Sequence, residues 1–418
     1  MRPLSGRVYA AFVGVQCVVL FSLTSFLVLQ NDNQHKGRDV PLMTEYSEDL
    51  PGCLAIINGD WEVAKDGFER LMSSRRRPLS MSPGFYRNLT EDCATYLETR
   101  GFVLAPQSAE ERDFPIAYSM VIHQKIEMFE RLLRAVYRPQ NVYCVHVDKK
   151  SPADFRDAVM AIASCFPNVF IASRLENVVY ATWSRVQADL NCMADLLRHP
   201  APWRYLLNTC GADFPIKTNA DMVKALRVLN GRNSMESEPT RDHKKRRWLY
   251  HHVVTDSGIT ETEREKSPPP IPGPMFQGNA YVVVSRAFVR HVVEDPETQR
   301  FLEWEKDTFS PDEHVWSTLQ RMPSVPGSNP ADEKYDMSDL TAIARLVKWD
   351  GLDAGGRGGP YPPCAGKYQR SVCVYGAGDL RWLLRQHHLL ANKFDPEVDD
   401  VIIRCLEAYL NFKTRVTQ

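Results

Sequence analysis

Apolar and polar positions divide the chain into three stretches of different character. Val8 to Leu29, VYAAFVGVQCVVLFSLTSFLVL, runs for 22 residues without a charge, long enough to cross a bilayer as one helix. From Asn31 to about Arg112 the pattern is polar and mixed. NDNQHKGRD carries little apolar content and reads as a flexible stem. Helical spacing shows only around Trp61–Met72 and Asn88–Arg100. From Phe114 onward two periods alternate. PIAYSMVIH, NVYCVHVD, NVFIAS and WRYLLNTC are β-branched or aromatic runs that predict buried strands. KIEMFERLLRAVY places Ile126, Phe129, Leu132, Leu133 and Val136 at helical spacing. SPADFRDAVMAIASCF predicts a helix opened by a Ser151 cap and Pro152, and TWSRVQADLNCMADLLRH predicts another. FQGNAYVVVSRAFVRHVV predicts a strand followed by a helix. Ser267–Pro274 has five prolines in eight residues and must be a loop, and Ala354–Pro363 (AGGRGGPYPP) predicts a second, mobile loop. Strand–helix alternation on this scale predicts an α/β fold, a mostly parallel sheet with helices on both faces. Ligands then sit at the carboxyl ends of the strands.

The first stretch sets the compartment. Arg2 and Arg7 precede it and the first charge after it is Asp32, so the short N-terminal side is held in the cytosol and the rest is luminal. The alternative is a cleaved signal peptide, but the run exceeds an h-region of about 7–15 residues. The expected organisation is a cytoplasmic tail (1–7), a signal-anchor (8–29), a luminal stem and disulfide-tied N-terminal region (30–112) and a catalytic domain (113–418). Ten cysteines are scattered without C-x-x-C or zinc-type spacing. Cys17 lies in the apolar stretch, and the other nine suggest four bridges and one thiol, with only Cys364 and Cys373 near enough to suggest a local staple. Asn88-Leu89-Thr90 is an N-glycosylation sequon.

Charge narrows the function. The 51 basic and 52 acidic residues nearly cancel, which argues against a nucleic-acid binder. P-loop, G-x-G-x-x-G and G-x-S-x-G signatures are lacking. The His251-His252 and His387-His388 pairs lack the i, i+4 spacing of helical zinc ligands and read as structural or surface residues. Where sugar-nucleotide transferases often carry Asp-x-Asp after a strand, this chain has VHVDKK, with Asp148 alone beside lysines. One carboxylate among cations is a poor site for a hard metal ion. Lysine and arginine can neutralise a diphosphate instead, and Arg370 in YQRSVC and Lys393 in LLANKFD are candidates, each also readable as a solvated charge. In FSPDEHVW, Ser310-Pro311 is a helix-start signal that places Asp312 and Glu313 in a first turn. They either complement the helix dipole or supply a general base for a sugar hydroxyl. NSMESEPTRDHKKRRW gathers Glu236, Glu238, Lys244, Lys245, Arg246, Arg247 and Trp248, the residue types of a glycan pocket or of a charged loop.

These segments resemble the core 2 β1,6-N-acetylglucosaminyltransferase family, closest to its mucin-type (core 2/core 4) branch. The strings run from Phe114 to Tyr409 and include FPIAYSMVIH, ERLLRAVYRPQNVYCVHVD, SCFPNVFIAS, WSRVQADLNCM, NTCGADFPIK, LNGRNSMESE, SPDEHVWSTLQR, ARLVKW, VCVYGAGDL and HHLLANKFDP. The resemblance implies a GT-A-like fold, a single-pass type II protein of the Golgi membrane, and inverting transfer from UDP-GlcNAc with no cofactor and no metal. It implies Glu313 as catalytic base, Arg370 and Lys393 on the diphosphate, and His123 and Asp148 near the nucleoside. It implies Glu236, Lys244, Arg247 and Trp349 at the acceptor. It also implies bridges Cys53–Cys405, Cys93–Cys165, Cys144–Cys192 and Cys364–Cys373, with Cys210 free. The implied partners are mucin-type core 1 and core 3 glycans, the Golgi membrane and, left open, a second copy of the chain. One departure concerns acceptor choice. Two residues after the ARLVKW tryptophan the leukocyte-type branch has an aromatic, and this chain has Gly351. A silent lectin-like protein and the related xylosyltransferases are the alternative readings.

Overall fold

The computed structural model describes residues 51–59, 81–255, 258–330, 342–351 and 361–416. The expected anchor at 8–29, the helix at Trp61–Met72 and most of the Ala354–Pro363 loop lie outside them. Among the described residues no helix is long and apolar enough to cross a membrane.

Strands β1 (Ile116–Ile122), β2 (Val142–Val147), β3 (Val169–Ile171) and β4 (Tyr205–Cys210) coincide with the four apolar runs. Smaller strands follow: β5 (Asp213–Pro215), β6 (Glu238–Pro239), β7 (Tyr250–Thr255), β8 (Gly258–Glu265), β9 (Phe276–Gln277) and β10 (Val283–Ser285). The last four are β11 (Arg345–Val347), β12 (Lys367–Gln369), β13 (Val372–Val374) and β14 (Leu390–Asn392). The main sheet has the order β10-β4-β1-β2-β3, parallel except for β10. A second sheet, β11-β14-β5, has Lys393 directly after β14.

Period-two alternation explains the layers. Tyr118, Met120 and Ile122 of β1, with Tyr143, Val145 and Val147 of β2, face one apolar cluster, which also takes Phe129, Leu132 and Leu133 of the Ile126–Val136 helix. Ala117, Val142, Cys144 and Leu206 face the opposite cluster, with Val186, Cys192 and Leu196 of the Trp183–Arg198 helix. Burial on both faces is what a central parallel sheet demands. Tyr118 and Tyr143 are register partners whose rings stack 5.0 Å apart.

Several local expectations are corrected. The helix after β2 spans Ala153–Ser164 and has Pro152 at its N-cap; Ser151 turns its hydroxyl to the His123 carbonyl at 2.8 Å instead of capping. The Asn88–Arg100 stretch forms two helices, Pro83–Leu89 and Cys93–Arg100, because the Asp92 side chain accepts from the Ala94 and Thr95 amides and starts the second. The FQGNAYVVVS run is two strands, β9 and β10, broken where Gly278 approaches other backbone. Disulfides Cys53–Cys405, Cys93–Cys165 and Cys364–Cys373 are formed. Cys144 and Cys192 are both buried thiols; the Cys192 Sγ donates to the Cys144 carbonyl at 3.5 Å rather than bonding its sulfur, so the fourth expected bridge is not present. Cys210 is free, as implied.

Candidate active site

Glu313 ends a single 3-10 turn, Pro311–Glu313, entered through Ser310 in the left-handed region (φ 48). The expected helix start is thus two pieces: His314 (φ −124) separates the turn from the Val315–Leu319 helix. His314 is buried, with Nδ1 3.3 Å from the Phe276 carbonyl, and burial lowers its pKa to about 4. The Glu313 carboxylate accepts at Oε2 from Arg247 Nη1 at 2.5 Å and Lys244 Nζ at 3.4 Å. Only half of the basic run takes part. Lys245 pairs with Asp242 at 2.8 Å, and Arg246 with Glu261 at 2.5 Å while lying over the Tyr250 ring. Trp248 packs on the core.

Glu236 reaches the same place through a close backbone approach. A Cβ at Gly278 would lie 2.3 Å from the Glu236 carbonyl oxygen, and the Gly278 N–H donates to the Glu313 carbonyl at 2.8 Å. Glycine is required for the two acidic segments to meet. Trp349 is 40% exposed and bridges Val372, so it stands on the β12–β13 hairpin. The turn of that hairpin carries Arg370 (φ 52). Gly351 has φ 85, and among the described residues no atom lies within 4 Å of where a Cβ would stand.

His123 follows β1, Asp148 follows β2 and Lys393 follows β14, so three of the four donor candidates stand at carboxyl ends of strands. The Asp148 N–H donates to the Ile122 carbonyl at 3.0 Å, which sets it beside His123. Burial lowers the His123 pKa; Lys150 and Arg370 act in the same direction and Asp148 opposes them. Burial likewise lowers that of Lys393, opposed by Cys210 and aided by Arg370. Lys393 Nζ donates to the Gln369 carbonyl at 3.3 Å, and the Arg370 guanidinium lies over the exposed Tyr180 ring at 4.9 Å. Asp148 is buried. Its Oδ1 accepts the amides of Lys150 (3.0 Å) and Val178 (3.3 Å), and Lys150 Nζ is 3.6 Å from Oδ2.

Sequence reasoning missed the contacts around Asn392, the residue before Lys393. Asn392 donates to Asp213 at 2.8 Å and lies 3.4 Å from the Cys210 Sγ. That sulfur is 3.6 Å from the Tyr281 hydroxyl, and Arg345 covers the Tyr281 ring while pairing with Asp213 at 3.2 Å. Segment 277–281 therefore links Glu313, through Gly278, to the residue preceding Lys393. The strings FQGNAY and NTCGADF carried this signal only as strands. A cavity of about 670 Å³ opens beside Gln124, Phe155 and Arg404, but none of the candidate residues line it.

The histidine pairs pack structurally: His251 pairs with Asp307, and His387 stacks on the buried His388 at 4.1 Å. Asn88 is exposed at the end of its helix.

The chain is similar to known proteins. The family model described as "Branch: Core-2/I-Branching enzyme" matches residues 116–384. A Bos taurus protein named beta-1,3-galactosyl-O-glycosyl-glycoprotein beta-1,6-N-acetylglucosaminyltransferase 3 is 60% identical over 362 residues, 86% of this chain and 82% of that one. The Homo sapiens protein of the same name is 58% identical over 362 residues, 86% of this chain and 83% of its own. Among solved structures, a 4-diphosphocytidyl-2C-methyl-D-erythritol synthase from Anaerococcus prevotii is 13% identical, with 48% of this chain and 87% of that one covered and a TM-score of 0.25.

Proposed function

We propose that this chain, which belongs to the core-2/I-branching enzyme family, is a β-1,6-N-acetylglucosaminyltransferase that branches mucin-type O-glycans. The donor is UDP-GlcNAc, and the acceptor is the C6 hydroxyl of GalNAc in core 1 and core 3 glycans, with I-type branches within its range. What carries the reading is one carboxylate, Glu313, gripped by Arg247 and Lys244, in a chain that groups a second cation pair, Arg370 and Lys393, with residues at the strand ends.

Glu313 accepts the proton of the GalNAc O6 as that oxygen attacks C1 of GlcNAc. The O6–C1 bond forms as the bond from C1 to the β-phosphate oxygen breaks. UDP leaves with the electron pair, and one in-line displacement turns the α-linked donor into a β-linked product. Arg370 and Lys393 offset the charge growing on the β-phosphate, a role a divalent metal fills elsewhere. His123 and Asp148 hold the nucleoside end. Glu236 and Trp349 hold the acceptor sugar, the first accepting from hydroxyls and the second covering a ring face. Gly351 leaves space where an aromatic would restrict the acceptor, in line with a broad acceptor range. A silent lectin would have no need of a base beside a second cation pair.

The same reading places residues 8–29 in the Golgi membrane, with the remainder luminal and Asn88 open to glycosylation. The test is transfer by the purified chain to core 1 and core 3 acceptors in excess EDTA, with linkage analysis of the product. A β1,6-linked product formed in EDTA supports the proposal. Activity lost on chelation and restored by manganese refutes the metal-free mechanism, and a different linkage refutes the assignment.

A further inference from the structure

The β12–β13 hairpin carries Arg370 in its turn and Trp349 on its flank, yet each of its strands is only three residues long. A two-stranded hairpin is marginal on its own in water, so its orientation is set by what grips it. Two of the grips are backbone. The Cys373 N–H donates to the Lys348 carbonyl at 2.9 Å and the Asp350 N–H to the Ser371 carbonyl at 2.7 Å, on either side of the Trp349–Val372 bridge. The end of β14 fastens to the same strand. The Lys393 N–H donates to the Cys373 carbonyl at 3.3 Å, and the Tyr375 N–H to the Lys393 carbonyl at 2.9 Å.

The third grip is a buried ion pair at the base of the hairpin. Lys348 Nζ lies 2.6 Å from Asp379 Oδ1, and the two side chains are 0% and 1% exposed. The other oxygen, Asp379 Oδ2, accepts from the N–H groups of Ala365 and Gly376, each at 3.1 Å. Ala365 precedes β12 and Gly376 follows β13, so one carboxylate holds both outer ends of the hairpin. Lys348 Nζ is fixed in turn by the Pro363 carbonyl at 3.4 Å and by the Trp382 ring, 4.5 Å away. The Cys364–Cys373 disulfide spans the same base. A buried ion pair adds little net stability over an apolar pair of the same volume, because desolvation offsets the attraction. What this pair supplies is direction, since a charged nitrogen between a carboxylate and a carbonyl has one place to sit.

We propose that Lys348 and Asp379 are positioning residues that fix the tilt of the β12–β13 hairpin, and so hold Arg370 toward the donor and Trp349 toward the acceptor as one unit. The inference rests on the reading of Arg370 and Trp349 as donor and acceptor contacts. Lys348 is fully buried and touches neither substrate. Three residues of strand reach about 10 Å. A tilt of about 6° at the base therefore carries the turn by about 1 Å, and displacements of that size cost on the order of 10²-fold in rate. Donor and acceptor binding are thus sensitive to one pair that lies under both.

The experiment is steady-state kinetics of the purified full-length chain, with UDP-GlcNAc and a core 1 acceptor varied in turn. Lys348→Met, Asp379→Asn and the double variant Lys348→Met/Asp379→Asn are compared with Arg370→Ala and Trp349→Ala, and circular dichroism reports the folded fraction. The double variant removes both charges and leaves an amide oxygen for the Ala365 and Gly376 N–H groups, so it serves should a single change leave an unpaired buried charge and an unfolded chain. The expected result is a kcat lowered about 10- to 100-fold with the KM for donor and acceptor raised together, each about tenfold. Arg370→Ala, by contrast, raises the donor KM alone and Trp349→Ala the acceptor KM alone. Wild-type kinetics in the folded double variant overturn the proposal. So does a fall in kcat at unaltered KM for both substrates, the mark of a smaller folded fraction. Arg370→Ala and Trp349→Ala that leave both KM values unchanged would instead sink the reading of those two residues, so the two failures are distinguishable.

Discussion

Arg247 Nη1 lies 2.5 Å from Glu313 Oε2, although the two residues are 66 positions apart. The bond joins the basic loop, read as acceptor-binding, to the turn read as catalytic. Both cations on that oxygen are about one-quarter exposed. They are near enough to solvent to be shared with sugar hydroxyls, and buried enough to fix where the carboxylate points.

Glu313→Gln keeps shape and hydrogen bonding but removes the proton acceptor. The expected effect is a kcat lower by roughly 10²–10⁴-fold, the scale of general-base loss. UDP affinity measured by calorimetry is unchanged. Retained turnover would show that the base lies elsewhere.

Arg247→Ala removes a donor that fixes Glu313 and one that an acceptor hydroxyl can use. The KM for the core 1 acceptor should rise about tenfold or more, the scale of one hydrogen bond to a charged group. UDP affinity stays within about twofold, since the donor candidates form a separate group. A variant that loses UDP instead would contradict the division of the site.

Arg370→Ala and Lys393→Ala act on the other half. Each should weaken UDP binding about tenfold, with kcat falling as well because the interaction strengthens as the leaving charge develops. Adding manganese should not restore either variant. Unchanged UDP affinity in both would remove the diphosphate from this pair.

Glu305, fully buried near Lys266 and Asp307, gives a stability test remote from the chemistry. Burial raises its carboxyl pKa from an ordinary 4.5 to about 8, against the pull of Thr308 and Lys266. The folded chain therefore holds more protons than the unfolded one between those values, and this residue's contribution to stability falls as pH rises through the window. Glu305→Gln should raise Tm at pH 8 relative to wild type and change it less at pH 5. An equal change at both would show that the residue does not titrate there.

The sheet was legible because burial on both faces leaves uninterrupted apolar runs, as in Ile116–Ile122 and Val142–Val147. The candidate site residues are named by type and by resemblance, but their arrangement was not legible. Lys244 and Arg247 point at Glu313 while Lys245 and Arg246 point away, a choice set by the 3-10 and α-helical turns that carry them. The break at His314 was hidden because a Ser-Pro start is also compatible with a continuous helix. Arg370 occupies a left-handed position in a hairpin turn without glycine, next to the Gln369 carbonyl that accepts from Lys393, and this placement had no local marker. Cys144 and Cys192 are adjacent in space, yet adjacency alone did not bridge them.

The most direct test is a crystal structure of the chain with UDP and a core 1 acceptor. The account predicts the GalNAc O6 within about 3 Å of the Glu313 carboxylate, on the side opposite the departing phosphate, and the β-phosphate contacted by both Arg370 and Lys393. UDP seated away from those two cations, or Glu313 turned from the acceptor hydroxyl, would contradict it.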